Sequence, residues 1–236
     1  YRNFLNKLWN ANNFLISNKC DLSKTDKPPK ATLNINKWIY SELIFSKNQI
    51  EKYIKSYRFD EASRTIYKFV WNSYCDWYLE LCKTILNSNN KDQIKEIKNI
   101  SGQIFKEILI LLHPFVPFIT EELWLKNKLK ANKTKYLMHA NWIKDKKPIS
   151  GFEVKNVNEV IKIISNIRSF KNELNVSPGS YIDVSIESFT ENKKKLFKKN
   201  EIMLKKLGRI NSILNEDLSK QSANMLISGE ILKIYF

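Results

Sequence analysis

The sequence predicts a mainly α protein, a helical bundle followed by a small α+β domain. Only 5 Gly and 6 Pro occur in 236 residues, which favours long helices with few tight turns. Residues 58–83 carry two apolar sets at helical spacing, which is typical of a helix packed on more than one side. After about residue 150, short alternating segments indicate strands. We therefore expect domains over 1–148 and 149–236.

The helix over 58–83 is the predicted centre of the bundle. Asp60 is its predicted N-cap, with Glu61 beside it in the first turn. Its aromatic side chains are expected in the core rather than in a binding site. The first apolar set is Ala62, Ile66, Phe69, Ser73, Trp77, Leu81 and Ile85, and the second is Tyr67, Trp71, Tyr74 and Tyr78.

The other bundle helices follow from the same spacing. Helices are predicted over 1–17, 33–57 and 92–112, with a polar linker at 18–32. The corner LLHPFVPFITEELW then leads into a fifth helix, for which Thr120 is the predicted N-cap.

The final part changes character. We predict a helix over 154–174, a strand over 181–187 and a lysine-rich helix over 191–207. Two further strands in 222–236 are expected to form a hairpin near Ser228-Gly229. The residues of the lysine-rich helix expected to face inward are Leu196, Phe197, Ile202, Met203 and Leu204.

A net charge of +16 favours a polyanionic partner, with nucleic acid first. Residues 1–150 carry +12 of that charge and residues 151–236 carry +4. The alternative is a coding bias, because the chain is rich in Lys, Asn and Ile and only 5 of its 40 basic residues are Arg. Charge alone leaves both explanations open.

Two segments are candidates for RNA contact. The first helix shows cationic and amide side chains with aromatics at the margins, a mixture that suits single-stranded RNA. Residues 126–147 hold eight lysines against one acid and could follow phosphates. An ordinary solvated surface is the alternative for both. The first set is Arg2, Asn6, Lys7, Asn10 and Asn13, with Trp9 and Phe14 beside it.

The chain shows no pattern of a catalytic site. It has no glycine-rich phosphate loop, no metal-ligand spacing and no Ser/His/Asp arrangement. His113 is interpreted as a packed corner residue, and Cys20, Cys75 and Cys82 as reduced packing residues. No apolar run reaches the length of a membrane span. We expect no metal, no cofactor and no membrane partner for this chain.

Three segments resemble the C-terminal region of class I aminoacyl-tRNA synthetases. They are RNFLNKLWNA from Arg2, YRFDEA to CDWYLE from Tyr57, and LLHPFVPFITEELW from Leu111. The last is shared by isoleucyl and leucyl relatives, whereas NKLWNA and CDWYLE favour the valyl-tRNA synthetase family. Two positions depart from that family: Asn13 stands where Arg is usual, and Asn36 where Asp is common.

The resemblance implies an anticodon-binding C-terminal fragment of a cytoplasmic, monomeric enzyme that attaches valine to tRNA-Val using ATP. The catalytic and editing domains would lie upstream, and the fragment's partner would be the anticodon stem-loop. An isoleucyl or leucyl synthetase fragment and a helical protein-interaction module are the alternatives. The implied tRNA contacts are Arg2, Asn6, Lys7, Asn10 and Phe14, followed by Lys126, Lys128, Lys130, Lys133 and Lys135.

Overall fold

The computed structural model describes residues 2–22, 31–130, 134–144, 148, 151–218 and 222–235, apart from the side chains at 152 and 153. The chain divides into two compact units, Tyr1–Val154 and Lys155–Phe236. The first unit is helical and the second contains a four-stranded sheet with helices. The predicted fold class is therefore confirmed.

The helices of the first unit agree closely with the apolar spacing, apart from the central one. They are α1 (Arg2–Ser17), α2 (Asn34–Lys55), α3 (Phe59–Lys68), a π-helix (Phe69–Tyr78), α4 (Leu79–Leu86), α5 (Lys91–Leu112) and α6 (Pro117–Lys126), with a 3₁₀ turn at Leu137–His139.

The predicted central helix is continuous, but its middle is a π-helix rather than an α-helix. Each π turn holds more residues than an α turn, so the side chains after Phe69 change phase. Tyr74 and Tyr78 are fully buried as a result, while Ser73 and Trp77 from the first predicted set are only half-buried. The single α-helical phase assumed for the whole segment was wrong.

The start of this helix also differs from the prediction. α3 begins at Phe59 after Arg58, so Asp60 lies in the first turn and is not the N-cap. Glu61 there accepts ion pairs from Arg58 at 3.3 Å and from Arg64 at 3.5 Å. The two acids therefore act on the positive end of the helix dipole without capping it.

A series of hydrogen bonds from the buried Tyr78 to the half-buried Glu96 joins the π-helix to α2 and α5. The hydroxyl of Tyr78 donates to Oδ1 of Asn36 at 2.7 Å, and Nδ2 of Asn36 donates to Oε1 of Glu96 at 2.8 Å. Glu96 also accepts from the backbone N–H groups of Thr32 and Leu33, both at 2.9 Å. Burial raises the pKa of Glu96, but these hydrogen bonds outweigh that effect and lower it below its ordinary value.

The segment that follows α1 packs directly on α5. The backbone N–H of Asp21 donates to the carbonyl of Lys98 at 3.2 Å, and Leu22 is buried. The carbonyl of Asp21 lies so close to Gly102 that a Cβ there would meet it at 2.2 Å. The predicted linker at 18–32 is thus anchored over its first residues, and residues 23–30 lie outside the described part of the chain.

Thr120 stands inside α6 and does not cap it, which corrects the prediction. The helix begins at Pro117, and the Thr120 hydroxyl lies 3.0 Å from the carbonyls of Val116 and Pro117. Nδ1 of His113 lies 2.8 Å from the same hydroxyl. Proline at the first helical position lacks only an N–H that would have no intrahelical partner, so α6 can begin three residues before Thr120.

The second unit places two helices between its first two strands. The strand order is β2-β1-β4-β3, with β1 and β2 parallel and the other pairs antiparallel. Ser228 and Gly229 both have positive φ, as a two-residue hairpin turn requires, so the predicted hairpin is confirmed. The elements are α7 (Phe152–Glu173), β1 (Ile182–Ser185), α8 (Glu191–Lys199), α9 (Glu201–Gly208), β2 (Ile210–Leu214), β3 (Ala223–Ile227) and β4 (Glu230–Tyr235).

The predicted helix over 191–207 is two helices, and β2 was not predicted. Asn200 ends α8, with its side-chain amide donating to the carbonyl of Leu196 at 2.8 Å. This break changes the phase, so Leu204 is buried but Ile202 is 73% exposed, contrary to prediction. β2 follows α9 after one residue, and its sequence INSIL does not alternate between apolar and polar residues.

Tyr78→Phe should destabilise the first unit. The substitution leaves the buried carbonyl oxygen of Asn36 without its donor, which costs about 1–3 kcal/mol. All six Trp lie before residue 150, so tryptophan fluorescence during thermal unfolding reports this unit. Tyr67→Phe is the control because that side chain is 44% exposed. Equal melting temperatures for the two variants would contradict the role given to the buried hydroxyl.

Gly102→Ala should also destabilise this unit, by about 1–3 kcal/mol, because the added methyl group forces the backbone of Asp21 away from α5. The gain in helix propensity, about 1 kcal/mol, is too small to compensate for that displacement. In Gly179→Ala the new Cβ would meet only Ser177 Oγ at 3.9 Å. Calorimetry should show a lowered melting transition for the first variant alone, and an unchanged one would refute the close contact.

Candidate nucleic-acid interface

α1 is fixed by one apolar side and presents the other to solvent. Leu8 and Leu15 are fully buried, with Phe4 and Ala11 on the same side. This side packs against the π-helix, α5 and α6. The opposite side is therefore held by the bundle in a defined orientation.

The exposed side of α1 carries an amide stripe, which consists of Asn6, Asn10 and Asn13 with Arg2 at its N-terminal end. All four residues are exposed, and their spacing of three and four residues places them on one face. Each amide offers both donors and an acceptor, which is what hydrogen bonding to the edges of unstacked bases requires. Asn12 is the exception on this helix, since it is buried and its Oδ1 accepts from Asn127 at 2.6 Å.

Lys7 lies beside the stripe and is engaged within the protein. Its ammonium forms an ion pair with Asp76 and lies 3.9 Å from the centre of the Trp71 ring. The side chain is 26% exposed. Its charge is therefore partly neutralised within the protein.

An aromatic ladder runs along the border between α1 and the central helix and consists of Phe4, Tyr67 and Trp71. The ring centres of Phe4 and Tyr67 are 5.1 Å apart with an interplanar angle of 28°, and those of Tyr67 and Trp71 are 5.6 Å apart with an angle of 15°. Tyr67 is 44% exposed and Trp71 is half-buried. The expectation that the aromatics of 58–83 all belong to the core is wrong for Tyr67 and for Phe59, which is 56% exposed, and Trp71 is only partly covered.

Sequence reasoning missed Tyr67 and Trp71 as surface residues, although a signal was available. They form the margin of the second apolar set, next to the charged positions Arg64 and Lys68. Tyr67 lies in α3, before the phase change, whereas Trp71 lies in the π-helix, whose phase spacing alone does not predict.

Two further cation–ring pairs flank the stripe. The ammonium of Lys126 lies 4.1 Å from the centre of the Trp9 ring, so the end of α6 meets α1. The ammonium of Lys83 lies 5.7 Å from the Phe14 ring, which is half-buried. Both predicted segments thus contribute to one surface through Trp9 and Lys126.

Further lysines of the predicted segment 126–147 lie on a stretch of chain that hydrogen bonds fix to the bundle. Lys128, Lys130 and Lys135 are exposed, and Lys135 lies 5.3 Å from the ring of Tyr136. The segment is held to α6 by the N–H of Leu137, which donates to Glu121 at 3.0 Å. It is held to α2 by Trp142 Nε1, which donates to Glu51 at 2.7 Å. Lys133 lies outside the described residues.

The described residues contain no group of three or more His, Cys, Asp or Glu side chains placed to hold a metal ion. None of the helices in the same ranges is long and apolar enough to cross a membrane. The three cysteines are free and buried, and burial raises the pKa of the Cys75 thiol to about 12.

Residues 36–186 match the family model described as the anticodon-binding domain of tRNA ligase. The chain belongs to this family. The match includes most of the bundle and the first strand of the second unit, whereas α1 precedes it.

Relatives extend the similarity over α1. The chain is 55% identical to a valine–tRNA ligase of Pelagibacter ubique over 100% of its own length and 27% of the relative. It is 36% identical to the valine–tRNA ligase of Zymomonas mobilis and 34% identical to that of Rhizobium meliloti, over 98% of the chain in both cases. The chain therefore spans about a quarter of the length of these relatives. The resemblance deduced from the sequence is confirmed.

Proposed function

We propose that this chain recognises the anticodon stem-loop of tRNA-Val within an enzyme that uses ATP to attach valine to that tRNA. The observation that supports this proposal most strongly is the rigidly held amide stripe of α1, flanked by partly exposed aromatic rings. Membership of the anticodon-binding family and similarity to valine–tRNA ligases support the choice of partner.

The chemistry of an anticodon loop fits this surface. Its bases are unpaired and can be splayed out on binding, so that each presents a hydrogen-bonding edge and a flat face. Asn6 and Asn10 supply paired amide donors and acceptors for the edges. Phe14, which is half-buried, supplies a ring for a base face, and stacking a base on an aromatic side chain contributes about 1–3 kcal/mol. Tyr67 and Trp71 are stacked on each other and border the stripe with their exposed edges.

The cations around the stripe have two proposed roles. Arg2, Lys126, Lys128, Lys130 and Lys135, together with Lys133 from the sequence, contact backbone phosphates and add affinity that falls with salt. Lys7 acts mainly on Trp71, because its ion pair with Asp76 and its position over the ring hold the indole beside the stripe.

Catalysis is assigned to other parts of the enzyme. In the proposal, the chain contributes tRNA binding, takes no cofactor of its own, and leaves ATP and the amino acid to the catalytic domain. The helical region over 1–148 carries the recognition surface, and the region over 149–236 forms the small α+β domain.

Asn10→Ala should weaken binding to a tRNA-Val anticodon stem-loop by about tenfold, because loss of one or two hydrogen bonds to a base costs about 1.4 kcal/mol. Fluorescence anisotropy at moderate salt measures the affinity. Asn48→Ala provides the matched control, since Asn48 is an exposed asparagine on α2. The stripe is not the recognition surface if both variants bind like the parent chain.

Specificity can be measured by filter binding with the valine, isoleucine and leucine tRNAs. The proposal predicts the highest affinity for tRNA-Val, and a changed anticodon base should reduce that affinity because the amides lose matched partners. Equal binding to all three tRNAs would indicate recognition of charge alone. Preference for the isoleucine or leucine tRNA would reassign the parent enzyme.

A further inference from the structure

The second unit contains a pocket surrounded by cations. Its volume is about 320 Å³, and it lies between the end of α7, the turn that follows, and the end of α9. None of the described residues that line it is acidic, and two of the five arginines in the chain are among them. The lining residues are Arg168, Lys171, Asn172, Pro178, Leu207, Gly208 and Arg209.

Lys171 forms the buried part of this pocket. The residue is only 2% exposed, and its Nζ donates to the carbonyl of Ser180 at 2.5 Å. That carbonyl uses one of the three N–H donors of an ammonium group. Burial lowers the pKa of Lys171, and the charges of Arg209 and Arg168 lower it further. A bound anion would oppose both effects, because an opposite charge nearby favours the charged form of the lysine.

The two arginines are held at the exposed rim. Nε and Nη2 of Arg168 donate to the carbonyl of Leu207 at 3.1 and 2.8 Å. Arg209 follows α9 with a left-handed backbone, φ 55°. Its Nη1 donates to the hydroxyl of Tyr181 at 3.2 Å, and its guanidinium lies 5.6 Å from the centre of that ring. Each guanidinium is thus oriented before any ligand arrives.

Helix dipoles explain only part of this cluster. α7 and α9 both end here, and each C-terminus carries about half a negative charge. Two such ends offset about one of the three cations. The fork from Arg168 to Leu207 is therefore an ordinary helix cap, whereas Lys171 and Arg209 leave the pocket positively charged.

We infer that this pocket binds a phosphate group of an RNA backbone. The inference rests on the proposed function, which makes RNA the partner of the chain. Guanidinium groups match the oxygens of phosphate in two-point contacts, and an ammonium adds a third donor direction. Tyr181 is 59% exposed beside Arg209 and can stack on the neighbouring base or ribose, which favours RNA over a free phosphate ion.

Arg209→Asn tests the site without disturbing the backbone, because asparagine tolerates the left-handed conformation. Binding of full-length tRNA-Val to the 236-residue chain should weaken, and the slope of log affinity against log salt should fall by about 0.7–0.9, the value for one lost phosphate contact. Lys195→Gln removes the same charge from an exposed position on α8 and should leave the slope unchanged.

The inference is overturned if Arg209→Asn has the same salt slope as the parent chain. It is also overturned if Arg209→Asn and Lys195→Gln lose the same amount of affinity for tRNA-Val. Asn10→Ala, measured in parallel, separates the two proposals. If it weakens binding while Arg209→Asn does not, only the pocket assignment fails; if the parent chain binds no tRNA, both fail. Inorganic phosphate is titrated against the arginine Nε–H signals by NMR. A response to phosphate but none to tRNA would indicate a small-ion site and reject the RNA assignment.

Discussion

The buried hydroxyl of Tyr78 is the contact on which the helical unit depends. Through Asn36 and Glu96 it links three helices that are far apart in sequence. Tyr78, Asn36 and Glu96 each have a hydrogen-bond partner within the protein. An unpaired polar group in a core costs more than its hydrogen bond contributes, so these hydrogen bonds favour the observed arrangement of α2, α5 and the π-helix. The same π-helix also places Trp71 at the border of α1. One local deviation from α-helical geometry therefore determines both the core and the margin of the proposed recognition surface.

Apolar spacing predicted the helices because burial of one face is what stabilises them. α1, α2 and α5 begin and end within a few residues of the predicted bounds. The phase of the central helix could not be predicted, because a π turn depends on packing against α2 and α5. The prediction that Ile202 faces inward was wrong for a related reason. The helix is interrupted at Asn200, whose side chain donates a hydrogen bond that apolar spacing does not reveal. β2, with the sequence INSIL, lacks the alternation that predicts a strand.

The amide stripe could be predicted for the same reason as the core, since it lies on the side of α1 opposite the buried side. The contacts between side chains across the surface could not be predicted. Trp9 meets Lys126, and Lys7 meets Trp71, across 117 and 64 positions of sequence respectively, and no local pattern encodes such contacts. The structure also shows that charge count is a poor guide to binding, because Lys47 is fully buried against Glu51 at 2.8 Å and cannot meet a ligand. The placement of the cations decides which of them are available.

The central claim is that the anticodon loop lies on α1 beside the aromatic ladder. Cross-linking tests it most directly. The 236-residue chain is irradiated in complex with tRNA-Val that carries 4-thiouridine in the anticodon loop, and the modified peptides are identified by mass spectrometry. The account predicts adducts within Arg2–Ser17 or at Tyr67 and Trp71. Adducts confined to other helices, with α1 unmodified, would contradict it.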